Sequence, residues 1–296
     1  MATRMTATAR RRMVESFAVH AMLLVGVAFA LYPVAWVAAL AFSGAPAPEP
    51  AVVPWPDQPT LRHLEEVVGA TAKVAGESGD QEVWLFGRQL ANSLVVSLAT
   101  AIVGVLIAIP TAYALARFEF VGKRRGLAVL LATQMFPAVA SAIPLYLILD
   151  ALGLLNTRTG LVLCYASTAV PFAIFQLRAA FEAIPVDLEE AAMVDGATRL
   201  GAFVRVVLPV ARPAIAVTAL FAFMSAYNEF ILAATLLDDA SMFTLPVMLQ
   251  RFVGEYDAKW EAFAAGALVV SLPVMALFYV AQRHLVAGLA SGGVKG

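Results

Sequence analysis

Charge and cysteine are what this sequence has least of. Only 14% of its 296 residues are charged and 61% are apolar, whereas ordinary soluble domains carry about 25% charge. So few polar groups cannot clothe a globular surface, and a soluble globular protein is excluded. The single cysteine, Cys164, lies inside an apolar segment, which leaves neither a disulfide framework nor a cysteine metal cluster. His20, His63 and His284 are far apart and show no HxxxH spacing, so no metal site is expected. No GxxxxGK(S/T) is present; without a P-loop the chain is not expected to hydrolyse ATP. Neither GxSxG nor HExxH occurs, and no carboxylate pair stands in a catalytic context. No catalytic residue is assigned.

What the chain has instead is long apolar runs. A bilayer core about 30 Å thick takes roughly 20 helical residues. Six stretches reach that length: Phe17–Phe42, Leu90–Phe118, Leu127–Leu149, Gly160–Phe181, Pro213–Leu236 and Phe263–Gln282. The first is too long for a signal peptide and further spans follow it. The expected fold is all-α and polytopic, with six transmembrane helices. Its expected parts are residues 1–16, a first helix at 17–42, an external loop at 43–89, a five-helix core at 90–284 and a tail at 285–296. Gly104 with Ala108 and Ala112 with Ala116 offer close helix approach in the second span.

Basic residues set the orientation. With the N-terminus inside the cell, Arg4, Arg10, Arg11, Arg12, Arg117, Lys123, Arg124, Arg125, Arg178, Arg199, Arg205, Arg212, Arg283 and Lys295 are cytoplasmic. Arg62, Lys73, Arg88, Arg158, Arg251 and Lys259 stay outside. Both termini and the segment 182–212 are then expected in the cytoplasm. The outer segment 43–89 opens on Pro46, Pro48, Pro50, Pro54, Pro56 and Pro59, and Leu61–Val68 suits a short helix.

The segment 182–212 is an island of charge and turn chemistry. Asp187 is placed to cap a helix with Glu190 at its third position, and Gly196 suits the left-handed turn that stops it. Thr198 is placed to cap a second helix on which Leu200, Phe203, Val204 and Val207 recur at helical spacing, and Pro209 is expected to end it. The order is Glu190-Ala191-Ala192, three residues, Gly196, nine residues, an aliphatic residue, one more, then Leu208-Pro209. This resembles the EAA motif of binding-protein-dependent ABC importer permeases, with every fixed position present. In that family the loop docks in a cleft of an ATP-hydrolysing subunit. The resemblance therefore implies that Glu189, Glu190, Ala191, Ala192, Asp195, Gly196, Leu208 and Pro209 form an ATPase-coupling element.

Asn228 and Glu229 lie within the fifth apolar stretch. A carboxylate in hydrocarbon costs on the order of 3 kcal/mol, so Glu229 should face a bundle interior or cavity. It then either lines a translocation path or holds two permease halves together. Sugar-importer permeases carry a similar aromatic-Asn-Glu-Phe element here. Gln134, Met135, Phe136, Pro137 and Ser141 combine a proline kink with polar and aromatic groups, which makes them candidates for a gate, with helix packing the alternative for each.

The resemblance covers Leu90 to the C-terminus and is nearest the carbohydrate-uptake branch. Tyr146–Asn156 looks like that branch's outer turn, and Gly288–Gly296 looks like the tail of the G-type permease of maltose/maltodextrin importers. It implies the type I ABC importer permease fold in a bacterial or archaeal cytoplasmic membrane. The implied partners are a second, F-type permease, an ATPase homodimer carrying ATP and Mg, an external solute-binding protein, a sugar and membrane lipid. Nucleic acid is not among them, and no cofactor belongs to this chain. A permease of the same architecture for glycerol phosphate, trehalose or a polyamine, or a stand-alone secondary transporter, remains an alternative.

Overall fold

The computed structural model describes residues 7–44, 53–56, 58–76, 79–254 and 258–292. The chain forms two compact units, Met1–Gly69 with Phe252–Val269, and Ala70–Arg251 with Val270–Gly296. In the first, helix α1 (Ala7–Ala41) runs without a break through Pro33. Its segment Glu15–Ala41 is long and apolar enough to cross a membrane. Helix α2 (Arg62–Val68) follows, close to the helix expected at Leu61–Val68. His63 Nε2 lies 3.1 Å from the Ser43 carbonyl, and Lys259 pairs with Glu66 at 2.7 Å.

In the second unit, strands β1 (Thr71–Gly76) and β2 (Gly79–Trp84) form an antiparallel hairpin with Thr71 opposite Trp84 and Gly76 opposite Gly79. The segment expected as an external loop at 43–89 therefore contains a hairpin among its described residues, and the helix after it begins at Leu85 rather than at residue 90. Pro46, Pro48 and Pro50 lie outside the described residues. Helix α3 (Leu85–Arg117) starts directly after the hairpin. Next come α4 (Lys123–Met135), α5 (Ala138–Ala151), α6 (Arg158–Glu182), α7 (Asp187–Val194), α8 (Arg199–Ala202), a π turn at Phe203–Val207, α9 (Leu208–Tyr227), α10 (Ile231–Leu236) and α11 (Leu245–Gln250). Helix α12 (Trp260–Gly292) begins in the first unit, and its residues from Val270 belong to the second. Thr157 caps α6, its Oγ1 accepting from the Gly160 N–H at 3.0 Å. The sequence match at Gly288–Gly296 falls on the end of α12 and on residues beyond those described.

The core of this unit is α3 packed against α6 and α9. Gly104, Ala108 and Ala112 are buried, the two alanines completely. Between apolar helices in lipid the hydrophobic effect contributes little, so packing over small residues such as Ala108 and Ala112 is what gains dispersion contact. At Gly104 an added Cβ would meet no atom within 4 Å, so the close approach expected there is not made.

Two expected spans are not continuous. Five helices among the described residues are long and apolar enough to cross a membrane: Glu15–Ala41, Leu85–Arg117, Arg158–Glu182, Arg199–Tyr227 and Trp260–Gln282. The third expected span divides into α4 and α5, bent by 102°. Phe136 is extended there, with φ −79° and ψ 128°, because the residue before a proline is pushed out of the helical region. The fifth expected span, Pro213–Leu236, is also corrected. The apolar helix begins at Arg199, stops at Tyr227, and resumes as the short α10 after a break over Asn228–Phe230.

Candidate functional site

Between α6 and α9 the chain makes a compact helix–elbow–helix. Helix α7 starts one residue earlier than the sequence suggested. Val186 occupies the capping position with no side-chain bond, and Asp187 is already helical. The expected box of Asp187 with Glu190 is therefore absent. The amides of Glu189 and Glu190 instead bond the Val186 carbonyl at 2.9 and 3.1 Å. Three acidic residues, Asp187, Glu189 and Glu190, occupy the first turn, where the helix dipole favours negative charge. The one-residue offset places Glu189 at the third helical position, and it is Glu189 that is buried.

Gly196 has φ +89°. The Gly196 N–H bonds the Met193 carbonyl at 3.0 Å and the Ala197 N–H bonds the Ala192 carbonyl at 2.9 Å, the paired pattern of a Schellman stop. Thr198 caps α8, its Oγ1 accepting from the Gly201 N–H at 3.1 Å. Pro209 does not end this helix. It sits at the start of α9, and the turn before it is widened, with the Leu208 N–H bonding the carbonyl of Phe203. A proline inside a regular helix clashes with the carbonyl four residues back, and a π turn is a local way to absorb such a misfit. Arg199–Tyr227 is consequently one continuous helical body. The elbow is built rigidly onto an apolar helix long enough to cross a bilayer.

Two features hold the elbow against α3. Tyr113 packs at a tilt of 37° against Phe203 with ring centres 4.2 Å apart and meets Phe181 edge-on at 6.0 Å, while Val207, Leu177 and Phe181 are fully buried beside them. The second feature is polar. Glu189, 5% exposed, accepts from the Tyr113 hydroxyl at 2.6 Å and from Arg117 Nε at 2.6 Å. A second Arg117 nitrogen donates to the Ile184 carbonyl at 2.8 Å. On the opposite side Glu190, Ala191, Asp195 and Gly196 are exposed, and Ala192, Leu208 and Pro209 are half-buried. Leu200 and Val204, expected on the apolar face, are exposed, whereas Phe203 and Val207 are buried. Arg199 lies over the Phe118 ring at 5.2 Å.

The breaks in the two interrupted helices open onto cavities. One of about 880 Å³ lies in the bend between α4 and α5, lined by Thr133, Gln134, Phe136, Ser141, Ser167 and Thr168 among others. Another of about 430 Å³ is lined by Gln134, Thr168, Phe172, Phe221, Ser225 and Glu229. Gln134 and Thr168 border both, so Gln134 and Glu229, distant in sequence, share a wall. Asn228 and Pro137 are exposed and line neither. Glu229 has a structural task not foreseen in the sequence. Its carboxylate accepts from the Leu232 N–H at 2.8 Å and the Ala233 N–H at 3.1 Å, capping α10. Where water is scarce, N–H groups at a helix start need such an acceptor.

Sequence reading missed a third polar cluster. Asn92 Nδ2 donates to the carbonyls of Ser241 and Phe243, Gln89 Nε2 donates to that of Ala240, and Ser93 Oγ accepts from the Leu245 N–H. Arg158 Nε in turn donates to Asn92 Oδ1 at 2.8 Å. These side chains pin the segment between α10 and α11 to the start of α3. Their spacing, polar at 89, 92 and 93 on one face of a mostly apolar helix, was a legible signal of a polar contact.

Apolar helices of membrane-spanning length, two of the spans broken beside cavities that Gln134 and Thr168 both border, and an anchored elbow that exposes Glu190 and Asp195 describe a membrane-embedded component. Residues 86–291 match the family described as binding-protein-dependent transport system inner membrane component, and the chain belongs to that family. It is 40% identical over 214 residues to the trehalose transport system permease protein SugB of Mycobacterium tuberculosis, covering 72% of this chain and 78% of that protein. It is 34% identical over 286 residues to the maltose/maltodextrin transport system permease protein MalG of Vibrio parahaemolyticus, covering 95% and 96%. In fold it is similar to a chain of a bacterial ABC transporter involved in import of the acidic polysaccharide alginate. That match has a TM-score of 0.72 at 23% identity and covers 95% of this chain and 99% of the other. The architecture is the type I ABC importer permease fold.

Proposed function

We propose that this chain is one permease subunit of an ATP-driven sugar importer, of the maltose/maltodextrin type, and that the elbow at 182–212 receives the motion of an ATPase. The observation that carries the coupling role is the continuity of Arg199–Tyr227, which makes the second half of the elbow and an apolar span one body. The sugar assignment is supported by relatives named for maltose/maltodextrin and trehalose. The identity to the trehalose permease favours a second reading in which the cargo is a disaccharide of that kind.

In this account the chain pairs with a second, F-type permease, sits in the cytoplasmic membrane with both termini inside, and binds a homodimer of ATPases that carries ATP and Mg. An external binding protein delivers the sugar. Closure of the ATPases moves the elbow, the attached helices rock, and the cavities between the broken spans change the side to which they open. No bond in the sugar is made or broken. Energetically, a coupling element works only if its outward face binds the ATPase while its inward face resists being pulled away from the bundle, and the exposed Glu190 and Asp195 beside a buried, paired Glu189 support that reading.

Cells lacking this chain but retaining its neighbouring transport genes should lose uptake of radiolabelled maltotriose, with uptake restored by the intact chain. Trehalose uptake restored in place of maltotriose uptake would select the second reading. Restored transport in cells without any ATPase partner would overturn both.

A further inference from the structure

The two adjacent glutamates of the elbow do different things. Glu190 is exposed, while Glu189 is buried and its carboxylate accepts two hydrogen bonds, both from the end of α3. Its hydrogen-bond donors, the Tyr113 hydroxyl and Arg117 Nε, are four residues apart on α3, so they share a face one turn apart. Arg117 also donates to the Ile184 carbonyl just beyond α6. One guanidinium therefore joins the end of α3, the α6–α7 linker and α7 itself. The Arg117 and Glu189 side chains are 9% and 7% exposed. A charge pair this sheltered is not exchanged for water when the elbow is pulled, because each partner left behind would be a buried, unpaired charge.

We propose that Glu189 is a positioning residue that ties the elbow to α3, so that a displacement imposed on α7 is passed to a second apolar helix besides the one it is continuous with. Without it the elbow would act on α9 through the unbroken helix from Arg199 and on α3 only through the apolar packing of Phe203 on Tyr113, with no side-chain hydrogen bond holding α7 itself to α3. The Glu189 tie supplies that bond. It makes α7, the end of α3 and the linker after α6 one mechanical unit, with the Tyr113, Phe181 and Phe203 rings filling the space around it. This inference rests on the reading of the elbow as an ATPase-docking element.

The test uses the chain expressed with its cognate second permease and ATPase in membrane vesicles. Cys164 is the only native cysteine and is buried, so Ser141→Cys in the larger cavity serves as a reporter for a membrane-impermeant maleimide. In the parent, ATP with vanadate is expected to change the labelling rate about tenfold. With Glu189→Gln the ATPase still co-purifies, because the outward face is intact, but the nucleotide response falls to less than twofold. An unchanged nucleotide response overturns the proposal, and so does loss of ATPase co-purification in Glu189→Gln with retention in Glu190→Gln, since the inward and outward roles would then be reversed. If Glu189→Gln does not assemble, Tyr113→Phe decides. It removes one hydroxyl and no volume, and the response should drop about threefold; no drop contradicts the tie. Failure of the docking reading is distinguishable, because the parent chain itself would then bring down no ATPase.

Discussion

Glu189 and Glu229 are two carboxylates in a chain with little charge, and the protein shelters them in opposite ways. Glu189 is held by an arginine and a tyrosine from a helix more than 70 residues away, within a packed aromatic cluster. Glu229 is held by the backbone N–H groups of Leu232 and Ala233, three and four residues further on, beside an open cavity. The first arrangement joins separate elements and resists deformation. The second is made by the backbone of the next helical turn and leaves its carboxylate at the wall of a cavity. Charge in an apolar bundle is thus satisfied either by side chains of another element or by the backbone at a helix start, and the two arrangements carry different structural tasks.

The largest test of this contrast is Glu189→Ala. It strands Arg117 in a buried site, which costs about 3–5 kcal/mol. Thermal unfolding of the purified complex should shift clearly downward and the elbow should become sensitive to limited proteolysis. Glu229→Leu comes next. It orphans two N–H groups at about 1–3 kcal/mol each, so α10 should fray and transport should fall in a vesicle uptake assay while ATPase co-purification holds. Glu229→Gln keeps an acceptor and should be milder in the same assay. If the leucine variant lost the ATPase instead, the separation of the two regions would fail.

Gly196 sharpens the comparison further. Its φ is +89°, and a Cβ there would meet open space, so the cost of substitution is conformational and not steric. Gly196→Val should cost about 1–2 kcal/mol and weaken ATPase co-purification, whereas Gly196→Asn, a residue that visits this conformation, should come close to the parent. The smallest effect is expected for Thr198→Ala, a lost cap worth about 1 kcal/mol, visible as a small change in unfolding temperature with uptake within twofold of the parent.

Local chemistry made the elbow readable. A glycine at a helix stop and a threonine at a helix start act through their own neighbours, so Gly196 and Thr198 could be placed from the sequence alone. What could not be read was which of Glu189 and Glu190 turns inward. Adjacent residues on a helix point about 100° apart, and a one-residue offset at the start of α7, together with partners on α3, decides the matter. Pro209 was misjudged because the usual rule that proline ends a helix assumes a regular ladder, and the π turn before it relaxes that assumption. The breaks at Pro137 and Asn228 lay inside apolar runs whose hydropathy hides them. The proline and the polar pair were visible, but how far the helix bends there depends on the packing around them.

The central claim is that the exposed face of the elbow meets an ATPase while the opposite side of the bundle does not. Single cysteines at Glu190, on that face, and at Asp238, in the segment after α10, can be compared by attaching a benzophenone maleimide to each thiol and photo-crosslinking in membranes containing the assembled transporter. The account predicts that Glu190→Cys forms an adduct with the ATPase subunit and Asp238→Cys forms none. An ATPase adduct from Asp238→Cys, or none from Glu190→Cys in a complex that retains its ATPase, would contradict it.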